Sequence, residues 1–437
     1  MSMADDLMGR WAALAFLEKI LDDHLPLDQA FERTCRQYGD KLNARDRGFI
    51  RHLVTNSLRR LGQLDAMINH CTSKKLTSKQ KKVRNILRLG IVQLLYMEVP
   101  AHAAVNCAVK MTDKCKTRTE RHMKGMVNAI LRRIEREREK FSDNFSPELN
   151  LPKWLKENWQ QQYGRAEVAK ICESLLMEPP LDISLKPELD AQSWAQKLDG
   201  IILPTGSIRC EAGGSIQERP GYEEGQWWVQ DMAAALPAKF LGAGAGDRIL
   251  DLCAAPGGKA AQSAAKGGLV TAVDLSERRL RRLEENKTRL NLDIDVVTSD
   301  ILDYKPEESF RYILLDAPCS STGTLRRHPE LTRLRGPRDV ADLALLQAKL
   351  LDAASDLLPI GGCLIYCVCS MQYEEGLGQI EALLKRNRKI RRKPIEETEV
   401  FGLIQCLTDK GDVQTLPHHY AGGMDGFYIA RLTKTAE

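Results

Sequence analysis

From Trp227 onward, short apolar runs alternate with stretches of helical periodicity, and this rhythm leaves the second half of the chain few folds to choose from. The candidate strands are Arg248-Ile249-Leu250-Asp251-Leu252, Leu269-Val270-Thr271-Ala272-Val273, Asp295-Val296-Val297, Tyr312 to Leu315, Cys363 to Cys367, and Gly426-Phe427-Tyr428-Ile429-Ala430. Helices are predicted between them. One is Glu277–Leu290, with Ser276 as N-cap and the acidic Glu277 in its first turn. Strands alternating with helices predict a doubly wound, mostly parallel sheet. The pattern contains no internal repeat and no low-complexity segment.

The first half reads differently. A chain of 437 residues is too long for one ordinary core, so two or three domains are expected. Residues 1–145 are poor in glycine and proline, and apolar residues recur at helical spacing, as in Val83, Ile86, Leu87, Gly90, Ile91, Leu94 and Leu95. This predicts an all-helical bundle, with Pro100 stopping one helix and Phe141-Ser142-Asp143-Asn144 breaking another. Residues 146–230 predict a small α+β module: two helices over Trp154–Leu176, then short strands at Leu181–Leu185 and Gly200–Leu203, with turns marked by Gly and Pro. Residues 231–437 form the α/β domain. The bundle carries 28 Lys and Arg against 17 Asp and Glu, whereas the whole chain is only +5. That asymmetry points the helical part toward a polyanion; the bland alternative is a set of solvated helix faces.

No apolar run reaches membrane-spanning length, and the start lacks the basic and apolar regions of a signal peptide. The chain is therefore expected in the cytoplasm, off the membrane, with its 12 cysteines as reduced thiols. Cys367-x-Cys369 lacks a second close pair or a His cluster at ligand spacing, so no metal is expected.

After the first strand comes Asp251-Leu252-Cys253-Ala254-Ala255-Pro256-Gly257-Gly258-Lys259. Small residues and paired glycines let a ligand approach the backbone closely, and the following helix N-terminus favours anionic groups. The loop is neither a Walker motif nor G-x-G-x-x-G. Asp274 ends the second strand, where a carboxylate accepts hydrogen bonds from both hydroxyls of a ribose. Asp300 follows the third strand and Asp316 the fourth. Any one of them alone reads as a helix cap; the ordered set describes a nucleoside site that favours positive charge. S-adenosylmethionine, with its sulfonium and ammonium groups, suits it.

Two cysteines then stand at the ends of two strands about fifty residues apart, in Asp316-Ala317-Pro318-Cys319-Ser320 and Tyr366-Cys367-Val368-Cys369-Ser370. If those strands are parallel neighbours, both thiols emerge at the carboxyl edge, where open α/β sheets bind ligands. A thiol suits ring-carbon chemistry, because C5 of a pyrimidine becomes nucleophilic only after something adds at C6. A free thiol, with a pKa of about 8.5, is mostly protonated at neutral pH, so the site must depress it. The charge of a cationic ligand or of Lys259 would serve. Position alone leaves open which thiol attacks. Cys253, Cys363, Cys367 and Cys406 read as small buried hydrophobes.

These residues resemble the RNA cytosine-C5 methyltransferases over nearly the whole chain. The N-terminal part is similar to NusB-like RNA-binding domains through Ala44-Arg45-Asp46-Arg47, the segment Leu58 to Asp65, and Asn128-Ala129-Ile130-Leu131-Arg132-Arg133. The catalytic part carries Trp228-Val229-Gln230-Asp231, the Cys253–Lys259 loop, Asp316 to Gly323, Arg327-His328-Pro329-Glu330 and Asp425-Gly426-Phe427. The resemblance implies a NusB-like bundle, a small RNA-contacting module and a Rossmann-like class I methyltransferase domain. It implies S-adenosylmethionine held by Cys253, Ala254, Ala255, Pro256, Gly257, Gly258, Lys259, Asp274, Asp300 and Asp316. It makes Cys369 the nucleophile, Cys319 the helper in product release, and Asp316 a residue that faces the cytosine as well as the cofactor. In DNA C5 enzymes the attacking thiol occupies the Pro-Cys slot, so that role for Cys319 is the runner-up. Val368 stands where the family shows threonine, Ala260 where it shows threonine or serine, and Tyr373-Glu374-Glu375 where a proline-glutamate pair is common. Ser184-Leu185-Lys186-Pro187 stands where an arginine or asparagine pair is usual.

The expected substrate is 16S ribosomal RNA, free or in a partly assembled small subunit, met by a monomer through folded-RNA contacts that weaken with salt. Transfer RNA is the alternative substrate. A NusB-like antitermination factor with a dead methyltransferase domain is the alternative of another class; the intact Cys319, Cys369 and cofactor loop argue against it.

Overall fold

A computed structural model describes residues 3–436 of the chain. It divides into two compact units, Met1–Leu176 with His328–Leu334, and Met177–Arg327 with Arg335–Glu437. Among the described residues no helix is long and apolar enough to cross a membrane.

The first unit is helical. Its centre is the helix Lys81–Leu95, where Val83, Ile86, Leu87, Ile91 and Val92 are all buried. Five neighbouring helices cover it: Met3–Leu21, Ala44–Arg59, Leu61–Cys71, Ala101–Asp113 and Lys124–Arg136. Each fully buried Leu or Ile side chain contributes about 1.5–3 kcal/mol relative to an exposed one. The Ala44-Arg45-Asp46-Arg47 segment is a helix start. Asn43 Oδ1 accepts from Asp46 N at 2.9 Å, and the Asp46 carboxylate accepts from Asn43 N at 3.2 Å, a reciprocal capping box. Asp65 is held by Arg88 through two bonds, 2.9 and 2.6 Å.

Two boundaries differ from expectation. Pro100 starts a helix rather than stopping one: the preceding helix ends at Leu95, and Pro100 is the N-cap of Ala101–Asp113, where its missing N–H costs nothing. Phe141 does not break a helix; it lies buried within Arg138–Asp143, where core packing overrides the polar residues beside it. The pair Lys153–Tyr163 and Arg165–Leu175 matches the expected two helices, separated by Gly164 at φ +84°. The preceding turn is tied to the bundle through Gln63 N, which donates to Asn150 Oδ1 at 3.0 Å. In the same unit, Leu27 N donates to Glu330 Oε1 at 3.3 Å.

The second unit contains two sheets. Strands β1 (Leu181–Leu185), β2 (Gly200–Ile202), β3 (Ile208–Cys210) and β4 (Trp227–Val229) form an antiparallel sheet in the order β2-β3-β1-β4. Trp227 therefore belongs to the small sheet, not to the alternating domain that begins after it. The larger sheet contains β5 (Arg248–Leu252), β6 (Leu269–Asp274), β7 (Ile294–Thr298), β8 (Tyr312–Asp316), β9 (Cys363–Val368), β10 (Ile390–Arg392), β11 (Val413–Thr415) and β12 (Phe427–Lys434). Its order is β10-β12-β9-β8-β5-β6-β7, with β11 paired to β12. The five strands from β5 to β9 run parallel; β12 joins β9 antiparallel. β9 is buried along its whole length, as a strand covered on both faces must be. The chain winds outward from β5 through β6 to β7, then returns to lay β8 on the other side of β5. That reversal makes the carboxyl ends of β5 and β8 the switch point, where open α/β sheets bind ligands.

Candidate active site

The β5 loop opens with Cys253 in the left-handed region (φ +59°) and closes with Gly257 (φ +100°), which begins the helix Gly258–Ala265. A Cβ at Gly257 would stand 2.7 Å from the Leu283 side chain, so the turn and the close packing both demand glycine. Asp274 pins this loop from the end of β6. Its Oδ2 accepts from Ala255 N at 3.2 Å, its Oδ1 accepts from Ser276 N at 2.9 Å, and Arg279 Nη1 lies 3.5 Å from Oδ2. Asp300 is half-buried beyond β7 and accepts from Leu302 N at 3.0 Å. Both aspartates thus do the capping that any Asp can do, and still stand at successive strand ends around one loop.

Lys259, Asp316 and Cys367 meet under that loop. Lys259 Nζ donates to Asp316 Oδ2 at 2.6 Å, and Cys367 Sγ lies 3.6 Å from Asp316 Oδ1. Burial opposes the Lys259 charge, but the bonded Asp316 carboxylate outweighs it, so its pKa rises. Burial and then Asp316 push the Cys367 thiol well up, which keeps it a protonated donor. Asp251, in the middle of the β5 sequence, is fully buried and pushed up to about 8, first by burial. Neither of its oxygens has a hydrogen bond of ordinary length and angle; the Lys259 charge and the Ala260 amide act to lower it.

Because β8 and β9 are parallel neighbours, with Asp316 opposite Cys367, their following loops leave the same edge. Cys319 Sγ and Cys369 Sγ lie 3.4 Å apart. Ser321 Oγ is 3.5 Å from the Cys369 sulfur and 4.0 Å from that of Cys319. The pair is electrostatically unequal. The hydrogen bond from Cys319 lowers the Cys369 pKa despite burial, with Ser321 and Lys259 adding to the effect. The same bond, then burial, Cys369 and Glu375, holds the Cys319 thiol far up. Negative charge is thus favoured on Cys369 over Cys319.

The loops are locked by backbone contacts that use two glycines. Gly323 N donates to Cys369 O at 3.0 Å, and Gly426 N donates to Gly323 O at 2.8 Å. A Cβ on Gly323 would come within 1.8 Å of the Gly426 carbonyl. Asp425 beside it is buried and binds Arg327 through Nε at 2.9 Å and through Nη2. Asp231 accepts from Asp425 N at 3.1 Å and from the buried Arg326 at 3.2 Å; burial and then Asp425 push it up to about 6. Gln230 accepts from Ser184 Oγ and from Trp228 Nε1, each at 2.9 Å, and donates to Gln262 at 3.2 Å. The Trp228-Val229-Gln230-Asp231 and Asp425-Gly426-Phe427 motifs are thus the frame behind the thiols. Val368, where threonine was the expectation, is completely buried opposite Tyr428; an apolar β-branched side chain fits there and brings no hydroxyl to satisfy.

Every residue expected around the cofactor loop and the thiols lies at this one sheet edge. Arg279 was not singled out beforehand and shows itself only through its contact with Asp274 and the loop. Asp251, Arg327 and Glu375 stood within quoted motifs, but their burial and partners show only in the fold.

Residues 238–433 match the family model for 16S rRNA methyltransferase RsmB/F, and residues 9–136 match the NusB family. The chain is 35% identical to ribosomal RNA small subunit methyltransferase B of Salmonella agona, over 97% of this chain and 98% of that one. It is 35% identical to the Salmonella typhi protein of the same name, over 90% and 92%. Among solved structures, PH0851 superposes with a TM-score of 0.76 over 99% of this chain and all of that one, at 20% identity. With a NusB-family segment ahead of that fold and close to full-length similarity to its members, the chain belongs to the RsmB/F family of 16S rRNA methyltransferases.

Proposed function

We propose that this protein transfers a methyl group from S-adenosylmethionine to C5 of a specific cytidine in 16S ribosomal RNA, with Cys369 as nucleophile and Cys319 assisting release. The observation that carries the reading is the contact of two unequal thiols, 3.4 Å apart, beside Asp316 at the switch point. Family membership supplies the RNA.

The loop and strand ends fit the cofactor by the chemistry of their donors. Carboxylates at Asp274, Asp300 and Asp316 suit ribose hydroxyls and cationic groups, and the buried Asp251 carboxylate gains most from a nearby positive charge. Cys253 to Lys259 hold the backbone close to the ligand. When bound, S-adenosylmethionine supplies an electrophilic methyl group.

The chain's own residues carry the rest. The Cys369 thiolate adds to C6 of the cytosine, which turns C5 into an enamine carbon. Asp316, held by Lys259, relays the Lys259 ammonium proton to the ring nitrogen as the thiolate adds, and the proton returns by the same route when the C6–sulfur bond breaks. After methylation a base removes the C5 proton, the C6–sulfur bond breaks, and Cys369 leaves as thiolate. Cys319, with its sulfur against Cys369, assists that departure. We infer that it works in the cytoplasm, on free RNA or a partly assembled small subunit, as a monomer.

The test is incubation of the wild-type protein with S-adenosylmethionine and a 16S rRNA transcript carrying 5-fluorocytosine, whose fluorine blocks proton removal. A covalent complex stable to denaturation is expected, and a transfer RNA transcript should give none. RNA binding without any adduct overturns the reading.

A further inference from the structure

We propose that Glu375 is the positioning residue of the thiol pair: its buried carboxylate bridges the Cys319 and Cys369 loops and holds the two sulfurs in contact. The proposal rests on the C5-methylation reading for its consequence in catalysis, but not for its geometry.

Glu375 is completely buried, just beyond β9. Burying a carboxylate is costly unless donors surround it. Four do. Its Oε1 accepts from Ser320 N at 2.8 Å and from Gln347 Nε2 at 3.2 Å. Its Oε2 accepts from Ser320 Oγ at 2.5 Å and from Ser370 Oγ. Ser320 directly follows Cys319, and Ser370 directly follows Cys369. One side chain therefore grips the two thiol loops at equivalent positions. Gln347 Nε2 also donates to Pro318 O at 2.9 Å, and Tyr366 donates to the Glu375 carbonyl at 2.6 Å, so the grip itself is braced.

All four donors to the carboxylate are neutral. The charged groups near the thiols otherwise come in pairs: Lys259 is bonded to Asp316, and Arg327 to Asp425. Cys367 and Tyr366, which lie beside them, have their pKa values held well up, first by burial. Among the described residues Glu375 has no ion-pair partner, so its charge acts on its surroundings undiminished by a cation. It falls on Cys319, where it disfavours the thiolate. A purely structural Glu375 would be replaced well by glutamine, which keeps the shape and some of the bonds. A residue whose charge also disfavours the Cys319 thiolate would not.

The experiment compares wild type with Glu375→Gln by rates of iodoacetamide alkylation at each cysteine, read by peptide mass spectrometry across pH, alongside methyl transfer to RNA. Alkylation reports thiolate and needs neither RNA nor cofactor. In the wild type, Cys369 should react first. In Glu375→Gln the Cys369 to Cys319 rate ratio should fall roughly tenfold, the effect of one pKa unit, because Cys319 ionises more easily. kcat should fall by a similar factor with KM for S-adenosylmethionine unchanged. An unchanged ratio and pH profile in a folded variant overturns the proposal. If Glu375→Gln does not fold, Ser370→Ala keeps the charge and removes one grip: kcat should fall, and an unchanged kcat overturns the proposal. If wild type transfers no methyl group while the alkylation ratio still responds to residue 375, the function reading fails and the positioning role stands.

Discussion

The sulfur of Cys319 lies 3.4 Å from that of Cys369, though fifty positions separate the two residues in the chain. The parallel pairing of β8 with β9 creates that contact, and the hydrogen bond with Cys319, with Lys259 adding to it, lowers the Cys369 pKa. Two thiols of unequal acidity in contact form a natural division between attack and release.

That division predicts opposite phenotypes for the two alanine variants. Cys319→Ala should accumulate a covalent protein–RNA complex on ordinary 16S rRNA with S-adenosylmethionine, because attack proceeds and release stalls. Cys369→Ala should form none and should lose activity on the order of 10⁴-fold or more, as removal of a nucleophile does. Denaturing gel electrophoresis with labelled RNA reads both. The reverse pattern would assign attack to Cys319.

Asp251 gives a prediction in pH. Its folded-state pKa, about 8, lies above the unfolded value, and burial is the main cause. Its contribution to stability is therefore complete below about pH 4 and is lost as pH rises through about 8. Asp251→Asn removes the titration. Without cofactor, the variant should gain on the wild type as pH rises between these limits, by at most about 1.4 kcal/mol per unit. Urea unfolding at several pH values measures the difference; a difference that stays flat across the window contradicts the raised pKa.

Arg326 is 1% exposed and stands between two buried carboxylates, 3.2 Å from Asp231 and 3.8 Å from Asp425. Removing one partner of a buried ion pair leaves charge without compensation, at about 3–5 kcal/mol. Arg326→Leu should destabilise the second unit by that amount, seen as a lower urea midpoint. A loss under about 1 kcal/mol would show that the two aspartates take up protons or water instead.

The amino-acid order by itself determined the alternation of strand and helix after Trp227, the helical character of the first half, the cofactor loop, and the placing of both cysteines at strand ends. These are local matters: apolar run length, helical period and turn chemistry are written in neighbouring residues. Ser276 was legible as an N-cap for the same reason, and its hydroxyl accepts from Arg279 N. Pro100 was misread because local chemistry says that proline interrupts a helix, while only the neighbouring elements say which helix it borders. The tertiary structure alone decided the strand order, the antiparallel place of β12, the bridging of both thiol loops by Glu375, and the pairing of Asp425 with Arg326 and Arg327. Each of these joins residues far apart in the chain, and their cost or gain depends on burial. Glu375 reads in the sequence only as part of Tyr373-Glu374-Glu375, where a proline-glutamate pair is common; the fold alone encloses its carboxylate with four donors between the two cysteine loops.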